Sequence, residues 1–242
     1  MIERFQQSMM AKESVDRLCD HTYLPRLLGP TSTVLDLGAN RGSFSHGMIS
    51  KYHCRVFAVE PVSDLRVGIA PSTSLTLLPF AVGGRVGRAR MNVFGSRCAS
   101  VLQGKEGEAP THNEEVEMLD LRGVLGCVRA ERVDLMKVDI EGAEVEMFSA
   151  ASDADLLRCT QITVEFHDFV YPEQRRQVES VKRRLRSLGF WVINFSLDNT
   201  DVLFVNKAAS GAGRLEYMKL KYITKYMRGI RRRLSGYRRA IR

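Results

Sequence analysis

Residues Val34 to Phe44 read VLDLGANRGSF, and no other stretch limits the fold as tightly. An apolar run, Val34-Leu35 with Leu37, meets Gly38, and Gly42-Ser43-Phe44 then opens a segment of helical pattern. A strand that ends in glycine and turns straight into a helix is the first half of a βαβ unit. In open sheets made of such units, ligands sit outside the carboxyl ends of the strands. The turn at Gly38 is therefore the expected floor of a binding site.

The residues of the turn narrow the ligand. A dinucleotide site uses G-x-G-x-x-G to bring backbone N–H groups to a pyrophosphate. This chain has Gly38-Ala39-Asn40-Arg41-Gly42, with Asp36 two residues before the first glycine. A carboxylate beside a pyrophosphate is repelled, whereas a ligand carrying an ammonium and a sulfonium suits it. S-adenosylmethionine is such a ligand, and Gly38 would let the backbone approach its methionine part. The next apolar run, Arg55 to Val59, ends in Glu60. An acid at the end of the second strand, about 20 residues on, accepts hydrogen bonds from ribose hydroxyls. The plainer alternative has Asp36 capping the turn and Glu60 as a surface charge. The position of both acids at strand ends favours the cofactor reading.

The rest of the chain continues the alternation of strand and helix. Pro61 ends the second strand, since proline cannot extend a ladder, and a short helix is expected over 63–69. The third strand is read from Leu75 to Val82; its tip at Ala81 and Val82 either borders an adenine or is a plain strand end and turn. Residues 86–118 form an excursion: Arg88 to Phe94 and Glu115 to Met118 alternate as half-exposed strands do. The polar loop between them reads either as a lid, with Ser100 a candidate contact, or as a plain disordered connector. VDLMKVDIEGAEVEMF, Val133 to Phe148, gives a fourth strand and a following helix. Alternation places Lys137, Asp139 and Glu141 on one side of that strand. Three ionisable groups there need either a function or one another, as an internal ion pair. Gln161 to His167 is the fifth strand and brings His167 to the same edge. A basic amphipathic helix with Val178, Val181, Leu185 and Leu188 inward stops at Gly189. Two closing strands, Phe190 to Phe195 and Val202 to Val205, complete an α/β fold with a doubly wound, mostly parallel seven-stranded sheet.

Composition matters at the two ends. The N-terminal residues Phe5, Met9, Val15 and Leu18 recur at helical spacing, so 1–29 are expected to be cover helices, with 30–207 as the sheet domain. The net charge is +8. Eleven basic residues and one acid, Glu216, fall between Arg214 and Arg242, so the tail carries the basicity and the rest is near neutral. Ala208 to Gly213 reads as a linker. Leu215, Met218, Tyr222, Tyr226, Ile230 and Leu234 beyond it predict a basic amphipathic helix. Such a tail fits an anionic membrane surface or a protein partner. Nucleic acid is the weaker reading, because no RNA-binding module accompanies the tail. No apolar stretch is long enough to span a bilayer, and the five scattered cysteines form neither a metal motif nor a complete disulfide framework. A cytoplasmic protein, either free or peripheral at the membrane, is the expectation.

Several separated motifs resemble one family, the FkbM-type class I methyltransferases. They are VLDLGANRGSFS (Val34 to Ser45), VFAVEP (Val56 to Pro61), LPFAVGGRVG (Leu78 to Gly87), the stretch near Ser100, and VDLMKVDIEGAEVEMF with VEFH after it. They occur in family order over roughly residues 30–205, and the run Lys137 to Glu144 is the most specific; the basic tail lies outside the pattern. The resemblance implies S-adenosylmethionine as methyl donor and a hydroxyl acceptor on a sugar, glycan or secondary metabolite. It implies Asp36, Gly38, Asn40 and Gly42 around the methionine part, Glu60 on the ribose, and Ala81 and Val82 near the adenine. Asp139, Glu141 and His167 would face the acceptor. His167 or Asp139 would take the hydroxyl proton, or a divalent cation on Asp139 and Glu141 would lower its pKa. The rival expectation is a nucleic-acid-binding protein or RNA methyltransferase that uses the tail.

Overall fold

The computed structural model describes residues 14–70, 72–94, 98–100 and 110–224. The described chain begins with a two-stranded hairpin, β1 (Asp16–Leu18) and β2 (His21–Tyr23). Cys19 and Asp20 both take positive φ, as a two-residue hairpin turn requires. A single 3-10 turn, Pro25–Leu27, follows. The expected cover helices are thus replaced by a hairpin over 16–23; residues 1–13 lie outside the described residues. The helical spacing of apolar residues was too short a pattern here, and the turn residues decided the local structure. The hairpin is tied down by polar contacts rather than by a helical face. Thr22 donates from its backbone and its hydroxyl to Asp201, at 3.0 and 2.7 Å, and Leu24 exchanges hydrogen bonds with the side-chain amide of Gln161.

Strands β3 (Thr33–Leu37), β4 (Arg55–Val59) and β5 (Leu75–Leu78) run parallel, with the helix Ser43–Tyr52 between the first two. The expected third strand splits at Pro79-Phe80. Its end, β6 (Ala81–Val82), leaves the main sheet and joins β7 (Gly87–Phe94), β8 (Cys98–Ser100) and β9 (His112–Leu119) in a second, four-stranded sheet. The antiparallel excursion is therefore a layer of its own. Ala89, Met91 and Val93 point inward from β7 and meet Val116 and Met118 of β9, together with Val62, Leu65 and Ala81. Glu114 of β9 accepts hydrogen bonds from the Ser63 backbone and hydroxyl, which pins this layer to the segment after β4. The Ser100 side chain lies outside the described residues.

After the helix Leu121–Val128, capped by Asp120, the main sheet resumes with β10 (Leu135–Val138), β11 (Gln161–Val164), β12 (Phe190–Asn194) and β13 (Val202–Asn206). The order is β12-β13-β11-β10-β3-β4-β5, with only β13 antiparallel to its neighbours. This is the expected doubly wound, seven-stranded sheet. The chain winds outward from β3 in one direction and from β10 in the other, so the crevice between their tips is the topological switch point. The helix Arg175–Ser187 packs Val178, Val181 and Leu185 against the sheet as its periodicity predicts.

The supposed linker is partly ordered structure. Lys207–Ser210 is a helical turn capped by Asn206, and Ala212 is buried with its carbonyl accepting from the Trp191 indole. Arg214–Met218 is helical and anchors by an Arg26–Glu216 pair and by Tyr217 stacked on Trp191 at 4.2 Å. The remainder of the basic tail, 225–242, lies outside the described residues. Among the described residues no helix is long and apolar enough to cross a membrane.

Candidate functional site

The crevice at the switch point is very narrow, and glycine is the reason it can be. Gly38 takes φ +78, and a Cβ there would sit 1.8 Å from the carbonyl oxygen of Asp139. No side chain fits in that space. The turn is closed by the Gly38 and Ala39 N–H groups donating to the Val59 carbonyl, at 3.0 and 2.9 Å. Asn40 follows in the left-handed region, which asparagine tolerates.

A cleft opens from this turn. Gly38 and Asn40 lie at one end, Glu60 and Pro61 along one side, and Asp139, Ile140 and Glu141 along the other. Leu65, Phe80, Ala81, Val82 and Met91 form an apolar wall, of which Met91 comes from the second sheet. The ionisable residues of this lining are the three carboxylates Glu60, Asp139 and Glu141; among the described residues no lysine or arginine lines it.

Glu60 is 4% exposed. One carboxylate oxygen accepts from the Asn40 N–H at 2.8 Å and the other from the Val62 N–H at 2.9 Å. Burial pushes its pKa up to about 7, against the pull of those two amides. Each oxygen keeps a free lone pair for a ligand hydroxyl.

Asp36 is placed differently from the sequence expectation. It is fully buried and does not line the cleft. Its carboxylate accepts from the Ser45 hydroxyl at 2.6 Å and pairs with the Lys137 ammonium at 3.1 Å. Lys137 in turn donates to the Gly38 carbonyl at 2.7 Å and lies 3.4 Å from Asp139. Burial disfavours the Lys137 charge, but Asp36 and Asp139 outweigh it and hold its pKa above the usual lysine range. Asp36 thus braces the turn from beneath through Lys137. Gly42, at φ +79, opens the helix and also stays out of the lining.

On the other side, the turn Asp139 to Gly142 carries the acids. Glu141 takes φ +53, a costly conformation for a residue with a Cβ, and Gly142 follows at φ +104. His167 sits 5% exposed between carboxylates. Its Nδ1 lies 2.9 Å from Glu144, its Nε2 3.3 Å from Glu141, and Asp139 stands at 3.9 Å. Glu144 is fully buried and also accepts from the Ile140 and Gly142 N–H groups. Burial opposes a charge on His167, yet the hydrogen bonds to Glu141 and Glu144 prevail and raise its pKa to about 11. With a carboxylate facing each ring nitrogen, the surroundings favour the protonated ring, in which both nitrogens donate. In that form it orders Glu141 and has no lone pair to take a proton, which weighs against the general-base role expected of it. Burial raises the Asp139 pKa, but Lys137 beside it prevails and pulls it well below the carboxylate range.

Sequence reasoning missed three participants. Glu144 was in the quoted motif but had no role assigned. Glu165 is half-buried beyond β11, and burial together with Asp139 lifts its pKa to about 7. His21 arrives from the hairpin, more than a hundred residues away in sequence, with its Nε2 3.7 Å from Asp139. No spacing rule could have linked it to this turn.

A family model described as the methyltransferase FkbM domain matches residues 36–192. The chain belongs to the FkbM methyltransferase family. A curated relative, the AMB antimetabolite synthetase AmbE of Pseudomonas aeruginosa, is 27% identical over 209 residues, covering 69% of this chain. The chain spans about a tenth of that protein's length, 10%. Among solved structures, the methyltransferase FkbM of Methylobacillus flagellatus is 12% identical with a TM-score of 0.45, covering 74% of this chain and 44% of that one. Phosphoethanolamine N-methyltransferase 2 of Haemonchus contortus, solved with S-adenosyl-L-methionine, is 10% identical with a TM-score of 0.35; the match covers 69% of this chain and 35% of that one.

Proposed function

We propose that this FkbM methyltransferase transfers a methyl group to a hydroxyl of a sugar, glycan or secondary metabolite. The observation that carries the reading is the cleft lining: three carboxylates and an apolar wall. It suits a cationic nucleoside without phosphates and repels a dinucleotide.

In this reading Glu60 accepts both ribose hydroxyls, its own orientation fixed by the Asn40 and Val62 amides. Gly38 and Asn40 flank the methionine part. Leu65, Phe80, Ala81, Val82 and Met91 enclose the adenine. Asp36 and Gly42 support the turn from behind. When bound, S-adenosylmethionine would supply a methyl carbon activated by its sulfonium for transfer to the acceptor oxygen, the electron pair of the carbon–sulfur bond staying on sulfur. The chain's part is chiefly to hold the oxygen in line. Asp139 and Glu141 accept hydrogen bonds from the acceptor hydroxyls, and cationic His167 keeps Glu141 aimed. Asp139, with its lowered pKa, is a weak base for the departing proton.

Calorimetry with S-adenosylmethionine tests the site. Binding is expected, weakened by Glu60→Ala. Binding of a dinucleotide in preference would overturn it. A methyl-transfer screen over hydroxylated acceptors then tests the O-methylation.

The tail adds a location to this function: a surface of anionic lipid. Its basic residues attract such a surface, at roughly 1 kcal/mol each near the headgroups. Flotation with phosphatidylserine vesicles should require residues beyond Thr224. The cut belongs there and not at Lys207, because Leu220 is buried. Steeply salt-dependent RNA binding without vesicle binding would favour the nucleic-acid alternative.

A further inference from the structure

The carboxylate of Asp139 lies between two imidazoles, and the two are not equivalent. His167 has both ring nitrogens engaged by Glu144 and Glu141. His21 is 1% exposed, and its Nε2 has no hydrogen-bond partner among the described residues. That atom points at Asp139 from 3.7 Å, too far for a hydrogen bond. A buried ring nitrogen without a partner costs free energy unless something occupies the gap.

Glu165 stands at the third corner. The candidate ligand atoms of His21, Asp139 and Glu165 all lie within 4.8 Å of one another. Two ligands on one cation, with bonds of about 2.1 Å, stand roughly 3.0 to 4.2 Å apart. The observed spread needs only small side-chain rotations to close on an ion. Charge agrees with this. Asp36, Asp139, Glu141, Glu144 and Glu165 surround the two cations Lys137 and His167, which leaves an excess of negative charge in a largely closed pocket. The ion has a way in, since the Asp139 side chain is 27% exposed and lines the cleft.

We propose that His21, Asp139 and Glu165 bind a divalent first-row metal ion at the acceptor end of the cleft. One imidazole and two carboxylates suit Mn²⁺, Fe²⁺ or Zn²⁺ better than Mg²⁺. The His21 ring is placed for it. Its Nδ1 lies 3.4 Å from the Thr163 hydroxyl, and with Thr163 accepting there, Nε2 presents its lone pair to the ion. Phe44 packs edge-on to the ring at 5.8 Å and limits its rotation. This ligand set differs from the Asp139–Glu141 pair expected from the sequence, because His167 occupies Glu141. When bound, such an ion would lower the pKa of a coordinated acceptor hydroxyl and so ease the demand on the weak base Asp139. That role rests on the methyltransferase reading; metal binding itself does not.

The test uses the full chain and Mn²⁺, followed by the loss of the free-ion electron paramagnetic resonance signal, with Zn²⁺ and Mg²⁺ as competitors. One Mn²⁺ per chain is expected, displaced by Zn²⁺ far more readily than by Mg²⁺. Glu165→Gln and His21→Gln should each weaken it by about tenfold or more, while Glu141→Gln leaves it within about threefold. Failure to take up either Mn²⁺ or Zn²⁺ would overturn the site. So would loss of binding in Glu141→Gln with none in Glu165→Gln, which would place the ion beside His167. Thermal unfolding checks that the variants fold. Should His21→Gln not fold, half-exposed Glu165 decides the matter. S-adenosylmethionine titrations of the same samples keep the two readings apart. Nucleoside binding without metal uptake overturns the site alone, and metal uptake without nucleoside binding supports the site while overturning the function.

Discussion

The two walls of the crevice are built by different means. On the β4 side a single carboxylate, Glu60, is fixed by backbone amides of Asn40 and Val62 and flanked by apolar side chains. On the β10 side, Asp139, Glu141 and Glu144 of one turn gather around His167 through charge, and His21 and Glu165 stand beside Asp139 from two other segments of the chain. The first wall depends on where the backbone turns. The second depends on a balance among ionisable groups, so its chemistry should follow pH and metal content. Lys137 joins the two, since it touches Asp36 and Gly38 of one and Asp139 of the other.

The contact where the walls meet gives the largest expected effect. Gly38→Ala must relieve a 1.8 Å overlap with a backbone oxygen and hold φ +78 with a Cβ. Side-chain rotation cannot help, because both partners are backbone. Nucleoside binding should be abolished and the melting temperature should fall. A Gly38→Ala protein that binds S-adenosylmethionine with unaltered affinity would show that the walls can separate, and the close crevice would lose its meaning.

Lys137→Met comes next. It leaves the fully buried Asp36 without its cation, a change that costs about 3–5 kcal/mol where a buried pair is broken. Denaturant unfolding should show a loss of that order, and adding Asp36→Asn should recover part of it. Equal losses in the single and double variants would mean that Lys137 matters through packing alone.

The parts of both walls that lie within short motifs were legible in the sequence, and the contacts between distant segments were not. The strand–glycine–helix turn, Glu60 at the second strand end and Asp139–Glu141 at the fourth are all within short motifs, where local backbone rules apply. The seven-stranded sheet followed from the same periodicities. Asp36 was placed at the right strand end but on the wrong side of the turn: type and spacing do not say whether a carboxylate meets ligand or lysine. His21 was invisible because a three-residue strand has too little periodicity to be told from a helix. The state of His167 was equally hidden, since it depends on Glu144 and Glu141 closing around it.

His167→Asn probes the charged wall through pH. The folded-state pKa of His167 is raised above its unfolded value of 6.5 to about 11. Its contribution to stability is therefore fully present below about pH 6.5 and is lost as pH rises through about 11. The wild-type protein should melt higher than His167→Asn at pH 6, by a margin worth about 1–3 kcal/mol, with the difference narrowing towards pH 10.5. The effect is smaller than for Lys137 because Glu141 and Asp139 face the open cleft. A pH-independent difference would mean that the ring is neutral in the folded protein, and its dismissal as a base would then fail.

The smallest effect is expected at Glu60, where burial against the apolar wall, rather than a charged partner, makes pH felt. Its folded pKa is raised from 4.5 to about 7 by burial. The stability that its protonation confers is present below about pH 4.5 and is lost as pH rises through about 7. Ribose hydroxyls, by contrast, are best accepted by the ionised carboxylate. Affinity for S-adenosylmethionine should therefore climb as pH rises from 6 to 8 while the ligand-free protein becomes slightly less stable. The gain is at most about tenfold for each pH unit below the pKa, or about 1.4 kcal/mol. Glu60→Gln keeps the shape but cannot ionise, so it should bind more weakly at pH 8 and show no slope. If the slope persists in Glu60→Gln and vanishes in Glu165→Gln, the titrating group lies on the charged wall, and the division between the two sides of the crevice is drawn in the wrong place.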